Sequence, residues 1–312
     1  MNIRQLNQDD QRGLEAFLVP HKSHCMFICS NLKASGMEYK DVPFHGEYWG
    51  CFDDSSKNLR GVIVHYWNGN IMMCASDPEI LSNLTNRLRQ NIHRPIHGIL
   101  GLEEQAKLVI EGLGLLDAKY NKNSTEGLYA FDLDELQEVV LEQDFMVITA
   151  KEVGNGLLIE WMKDYEVEAL GTQQDSELDA KAEDKANRLL IDDCFVLIKN
   201  GTPVSLSAFN ARLDDIMQIG PVWTPPEHRN HGFARTLVNF TLNEVKKGGV
   251  KKALLFTDNP AAIKAYEAIG FRKIGSYRLA LLKEPFYVKR TQRYGTCKGL
   301  HFAKGMKLIH KE

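Results

Sequence analysis

Residues 219–235 form the segment whose residue types and order come nearest to a chemical function. A strand-like run ends at Thr224, where two prolines stop it because they cannot donate to a strand ladder. A short loop with Arg229 and Gly232 follows, and an amphipathic helix is predicted directly after it. The free N–H groups and positive end of such a helix favour phosphate binding, and a glycine lets a pyrophosphate approach the main chain closely.

Residues 259–271 form a second informative segment, in which Asn259 precedes a predicted helix and Tyr266 lies within it. An asparagine at this place is a good helix cap, and it is free to bind a ligand as well. Tyr266 has helical spacing with Ala262 and Ile269, which is also typical of a core side chain. The residues alone therefore leave Tyr266 open between a packing role and a role as a proton donor.

Both segments resemble motifs of the GNAT (GCN5-related N-acetyltransferase) superfamily. Arg229, Gly232 and Ala234 fit its pyrophosphate loop, Arg/Gln-x-x-Gly-x-Gly/Ala. Residues 259–271 fit its Asn-x-x-Ala-x-x-x-Tyr-x-x-x-Gly-Phe pattern. The two patterns occur in the expected order, joined by a predicted helix and strand. The resemblance covers about residues 145–284 and implies an acetyl-CoA-dependent N-acetyltransferase.

The resemblance also implies a role for each matching residue. Acetyl-CoA is expected where two parallel strands, 216–224 and 253–257, separate, and Gly220-Pro221 is suited to the bulge that parts them. The main-chain N–H of Val222 is expected to polarise the thioester carbonyl, and Tyr266 to protonate the departing thiolate. The residues expected to contact acetyl-CoA are Val222, Trp223, Thr224, Arg229, Asn230, His231, Gly232, Phe233, Ala234, Arg235 and Asn259.

Several of these residues have a plainer interpretation. Arg229 is either a phosphate contact or a surface charge, and Trp223 is either a cofactor contact or a packing residue. His228 and His231 fit solvent-facing positions better than acid or base roles, because this loop contributes mainly its main chain.

The carboxylates considered as the general base are Glu160, Asp164, Glu166, Glu168, Asp214 and Asp215. None has a local signature, so no base is assigned.

The elements that position these residues predict an α/β (α+β) class, with a mixed central sheet flanked by helices. Strands are predicted at 48–52, 61–66, 71–74, 97–101, 127–133, 145–150, 194–199, 203–209, 216–224, 253–257 and 272–282. Helices are predicted at 9–18, 24–35, 78–92, 103–113, 157–168, 177–191, 232–247 and 259–269.

Three segments are predicted from this order. Residues 145–284 form the GNAT domain, and residues 285–312 form a basic tail with seven Lys/Arg and one acid. Residues 1–140 repeat a similar order of elements without either motif. They resemble the degenerate first domain of tandem GNAT proteins, and an unrelated α/β module is the alternative.

Composition excludes several other classes of function. The net charge of −3 gives no global attraction for nucleic acid. No apolar run is long enough to span a membrane, and no secretory signal is visible, so a cytoplasmic location is expected. The six cysteines form no CxxC pair, and no metal site is expected. Oligomeric state is not predicted.

The leading functional prediction is acetyl transfer to a primary amine on a small molecule or an amino acid, by direct attack in a ternary complex. A protein-directed or ribosome-associated acetyltransferase that docks through the basic tail is a second hypothesis. A CoA-binding sensor without turnover is a third, motivated by the missing base.

Overall fold

The computed structural model describes residues 1–53, 58–138, 141–190 and 194–288. Its strands are β1 (Asn2–Gln5), β2 (Gly46–Phe52), β3 (Leu59–Tyr66), β4 (Asn70–Ala75), β5 (Ile96–Leu102), β6 (Tyr120–Asp132), β7 (Phe145–Thr149), β8 (Cys194–Lys199), β9 (Thr202–Arg212), β10 (Ile216–Trp223), β11 (Lys252–Thr257) and β12 (Arg272–Phe286). Its helices are α1 (Gln11–Leu18), α2 (Met26–Ser35), α3 (Pro78–Asn91), α4 (Glu103–Leu113), α5 (Ala150–Val153), α6 (Asn155–Leu170), α7 (Leu178–Leu189), α8 (Phe233–Lys247) and α9 (Pro260–Glu267).

The described strands form one sheet in the order β1-β2-β3-β4-β5-β12-β6-β11-β10-β9-β8-β7. Neighbours are antiparallel except for two parallel pairs, β4 with β5 and β10 with β11. The first half of the chain (β1 to β6) and the second half (β7 to β12) each contribute one parallel pair, which lies at the same place in the order of its own strands. The predicted mixed sheet flanked by helices is therefore confirmed.

The two halves exchange their last strands. β6 belongs to the first half, yet it pairs with β11 of the second half. β12 belongs to the second half, yet it pairs with β5 of the first half, and β6 and β12 also pair with each other. Each half is thus completed by a strand of the other, and the sheet runs across both without an edge between them.

Helices cover both faces of the sheet in each half. In the first half, Leu84 of α3 packs in a cluster on one face, and Leu14 of α1 packs in a separate cluster on the other face. In the second half, Val238 of α8 and Leu158 of α6 belong to two further separate clusters. No helix in the described part of the chain is long and apolar enough to cross a membrane.

The structure contains strand residues outside the predicted strands. β1 was not predicted, β6 begins at Tyr120 instead of residue 127, and β12 continues to Phe286 beyond the predicted end at 282. The first residues of β6 are polar, without the alternation that predicts a strand, and they become strand through pairing with β12. Pro285 and Phe286 of the predicted tail belong to β12, and positions 289–312 lie outside the described residues.

Candidate active site

The parallel strands β10 and β11 pair along only part of their length. Their register runs from Ile216 opposite Lys252 to Gln218 opposite Leu254, and then the pairing ends. β10 continues to Trp223, and its register with β9 shifts twice after Gln218. The strands therefore separate at their carboxyl ends, as expected. A cleft of about 690 Å³ opens there.

The start of α8 forms one wall of this cleft. Gly232 precedes the helix with φ 78° and ψ 4°, a left-handed conformation that a glycine adopts without strain. No side chain caps the helix, and Thr236 donates to Gly232 O at 3.0 Å across its first turn. The N–H groups of residues 233–235 precede this bond, so they are available to an anion.

Arg229 is held by contacts within the protein. Its Nε donates to Thr224 O at 2.9 Å, and its Nη2 donates to Glu168 Oε2 at 2.9 Å. The guanidinium also lies over the Trp223 ring, 5.0 Å from the ring centroid. Arg229 thus joins the end of β10 to α6 and fixes the path of the loop 224–232. Because its ring contacts this guanidinium, Trp223 has a packing role.

Most of the residues expected to contact acetyl-CoA come together in the cleft. Those that line it are Val222, Trp223, Thr224, Arg229, Asn230, Gly232, Phe233, Ala234, Arg235 and Asn259. His231 is not among the lining residues. Its exposed ring stacks on Phe233, with centroids 5.3 Å apart and an interplanar angle of 14°.

Asn259 caps the helix α9. Its Oδ1 accepts hydrogen bonds from the N–H groups of Ala261 at 2.9 Å and Ala262 at 3.2 Å. The side chain also lines the cleft. Its Nδ2 is not needed for the cap, so one asparagine is able to cap the helix and donate to a ligand.

Tyr266 belongs both to a core cluster and to the lining of the cleft. It is 7% exposed and packs in the core cluster that contains Phe271, with ring centroids 5.9 Å apart. It also lines the cleft between β10 and β11. Burial raises the pKa of its phenol above the ordinary value, so the group remains protonated at neutral pH.

The exchanged strand brings the first half of the chain into the same cleft. Phe27 of α2, Leu100 of β5, and Lys122 and Glu126 of β6 line it beside the loop of the second half. These four residues are not among the predicted site residues. Lys122 and Glu126 reach the cleft through the pairing of β6 with β11 and β12, and Leu100 reaches it through the pairing of β5 with β12, so no local signal could have found them.

The six carboxylates considered as the general base from the sequence lie in different surroundings. Glu160 and Asp164 are exposed and do not line the cleft, whereas Glu168 lines it and binds Arg229. Glu166 is buried and accepts from Lys185 at 2.6 Å and from Thr172 at 2.8 Å. Asp214 and Asp215 pair with two lysines of the first half, Lys33 and Lys22.

Residues 157–271 match the sequence model of the Acetyltransferase (GNAT) family. A search of curated proteins found no match. Among solved structures, a Drosophila protein aligns with a TM-score of 0.63 and 11% identity, over 90% of this chain and 98% of its own.

Two further similar solved structures are of proteins named as GNAT proteins. A GCN5-related N-acetyltransferase from Sphaerobacter thermophilus aligns with a TM-score of 0.52 and 12% identity, over 89% of this chain and 94% of its own. A tandem GNAT protein from the clavulanic acid biosynthesis pathway aligns with a TM-score of 0.52 and 9% identity, over 89% of this chain and 97% of its own. At these identities the likeness concerns the fold, and the predicted GNAT fold is confirmed.

Proposed function

We propose that this chain, which carries a GNAT-family domain over residues 157–271, transfers an acetyl group from acetyl-CoA to a primary amine in a ternary complex. The acceptor is a small molecule or an amino acid. One observation carries the proposal: the gap between β10 and β11, the start of α8 and Tyr266 all line a single cleft.

The cosubstrate follows the cleft from its phosphate end to its thioester. The N–H groups of residues 230–235 bind the pyrophosphate, since α8 directs its positive end at that point. The pantetheine arm runs beside residues 222–224 as an added strand, where β10 no longer pairs with β11. Asn259 donates its Nδ2 to the arm, and the N–H of Val222 polarises the thioester carbonyl.

The chemistry at the thioester needs a proton donor for the departing thiolate. Tyr266 fits this role, because burial keeps its phenol protonated beside the place assigned to the sulfur. A volume of about 690 Å³ lies within the range of pockets that hold drug-sized ligands, roughly 300–1,000 Å³. The cleft therefore has room for the pantetheine arm and a small acceptor.

The first half is assigned a supporting role without a cosubstrate of its own. In the first half, residues 76–77 alone join β4 to α3. In the second half, the longer segment 224–232 joins β10 to α8. The Asp77 carboxylate caps α3 by accepting from the Ile80 N–H at 3.0 Å. A carboxylate at this place repels a pyrophosphate. We therefore propose that residues 1–140 are a degenerate GNAT-like domain that forms one wall of the acceptor site.

Thiol release tests the proposed function. The purified chain is incubated with acetyl-CoA and a panel of primary amines, amino acids, peptides and ribosomal proteins, and free CoA thiol is detected. Amine-dependent thiol release with acetylated product supports transfer. Acetyl-CoA binding without transfer to any amine, peptide or ribosomal protein contradicts it and favours a CoA-binding sensor.

A further inference from the structure

Glu126 is a buried carboxylate in the proposed acceptor region that no step above uses. It lies in β6 opposite Tyr277 of β12, is 9% exposed, and lines the cleft together with Tyr266. Carboxylates are rarely buried without a partner or a role. Its position is a product of the strand exchange, because β6 comes from the first half and Tyr266 from the second.

A small charged network holds one oxygen of Glu126. Lys122 Nζ lies 3.3 Å from Glu126 Oε1 and 3.3 Å from Asp258 Oδ2. Ser124 Oγ donates to the same Oε1 at 3.4 Å. Among the residues that the structure describes, none donates a hydrogen bond to Oε2. One oxygen is thus positioned by protein groups, and the other is left for a ligand.

The surroundings of Glu126 raise its affinity for a proton. Burial raises the pKa of the carboxyl above its ordinary value, the Lys122 ammonium opposes this, and the Asp258 carboxylate adds to it. Burial raises the pKa of the phenols of the neighbouring Tyr165 and Tyr277, and nearby charges that include Glu126 raise it further. Both tyrosines therefore remain neutral. A carboxylate with a raised pKa is a better base near neutral pH.

We propose that Glu126 is the general base of the transfer, taking a proton through Oε2 from the ammonium group of the acceptor. This inference rests on the proposed function. The neutral amine then attacks the thioester carbon, so that a C–N bond forms and the C–S bond breaks. Tyr266 gives its proton to the departing sulfur and regains one from the nitrogen of the adduct. The proton on Glu126 passes to solvent, and the products are the amide and CoA thiol.

The Glu126→Gln variant tests this assignment, because it retains the shape and the carbonyl oxygen but binds no proton. We expect kcat to fall by about 100-fold, in the range typical of a lost base. The acetyl-CoA dissociation constant should remain unchanged, since the pyrophosphate loop is untouched. The wild type should lose kcat as the pH falls through the raised pKa of Glu126, and the variant should lack this acid limb.

Two further variants complete the test. Glu160→Gln removes an exposed carboxylate of α6 outside the cleft and should leave kcat unchanged. Glu126→Asp keeps a carboxylate that is one methylene shorter, so it should retain the acid limb at a lower kcat even if the Gln variant does not fold.

Two results would overturn the assignment, and they differ from each other. If a folded Glu126→Gln variant retains the kcat of the wild type and its acid limb, Glu126 is excluded as the base. The proposed function is then unaffected. A wild type that binds acetyl-CoA but acetylates no amine overturns both.

Discussion

The side-chain amide of Gln105 makes two hydrogen bonds with the main chain of Ala75. Gln105 Nε2 donates to Ala75 O at 3.2 Å, and the Ala75 N–H donates to Gln105 Oε1 at 3.1 Å. Ala75 lies at the end of β4, beyond Met72, the last residue that pairs with β5. In the first half, Gln105 therefore occupies the gap beside the end of β4. The corresponding gap in the second half, between β10 and β11, is open.

We expect one acetyl-CoA to bind per chain, because the gap in the first half is already paired to Gln105 and its helix start is already capped by Asp77. Calorimetric titration of a quantified protein sample measures this stoichiometry. A value of two would show that the first half retains a cosubstrate site.

The Asp77→Ala substitution should destabilise the protein and leave the cosubstrate site intact. Loss of a helix cap typically costs about 1 kcal/mol of the free energy of unfolding. Urea unfolding should detect that loss, while the acetyl-CoA dissociation constant stays at the wild-type value. A large change in acetyl-CoA affinity would mean that α3 belongs to the binding site.

The Tyr266→Phe substitution removes the proposed proton donor but keeps the buried ring. We expect kcat to fall by about 100-fold with little change in acetyl-CoA affinity. Because burial raises the phenol pKa, wild-type kcat should not decline as the pH approaches the ordinary tyrosine value of about 10. Undiminished turnover in the Phe variant would exclude the acid role.

The Arg229→Ala substitution removes the link between β10, the loop and α6. We expect acetyl-CoA binding to weaken about fivefold to tenfold, which corresponds to a lost hydrogen bond of about 1–1.5 kcal/mol. Titration calorimetry measures the change, and circular dichroism serves as the control for folding. Unchanged affinity would mean that the loop keeps its path without this side chain.

Much of the site could be predicted because its signals are local. The prolines that stop β10, the left-handed Gly232 and the capping Asn259 each act within a few residues of the chain. The same holds for Tyr266, whose place on a helix follows from its spacing.

The wall supplied by the first half could not be predicted. Lys122 and Glu126 lie in a polar run whose strand conformation depends on pairing with residues about 150 positions further along the chain. The sequence of β12 reads as a strand but does not specify β5 and β6 as its neighbours. The exchange, and with it the candidate base, is visible only in the assembled sheet.

Acetyl-CoA binding at the start of α8 is tested by titration calorimetry of Gly232→Trp, because the large side chain should block the pyrophosphate loop. Gly201→Trp is the matched control, because both glycines have φ 78° and Gly201 lies in the hairpin between β8 and β9, outside the cleft. Acetyl-CoA binding by the wild type and Gly201→Trp, lost in Gly232→Trp, is the predicted result. Equal binding by all three proteins would contradict the claim and place the cosubstrate elsewhere.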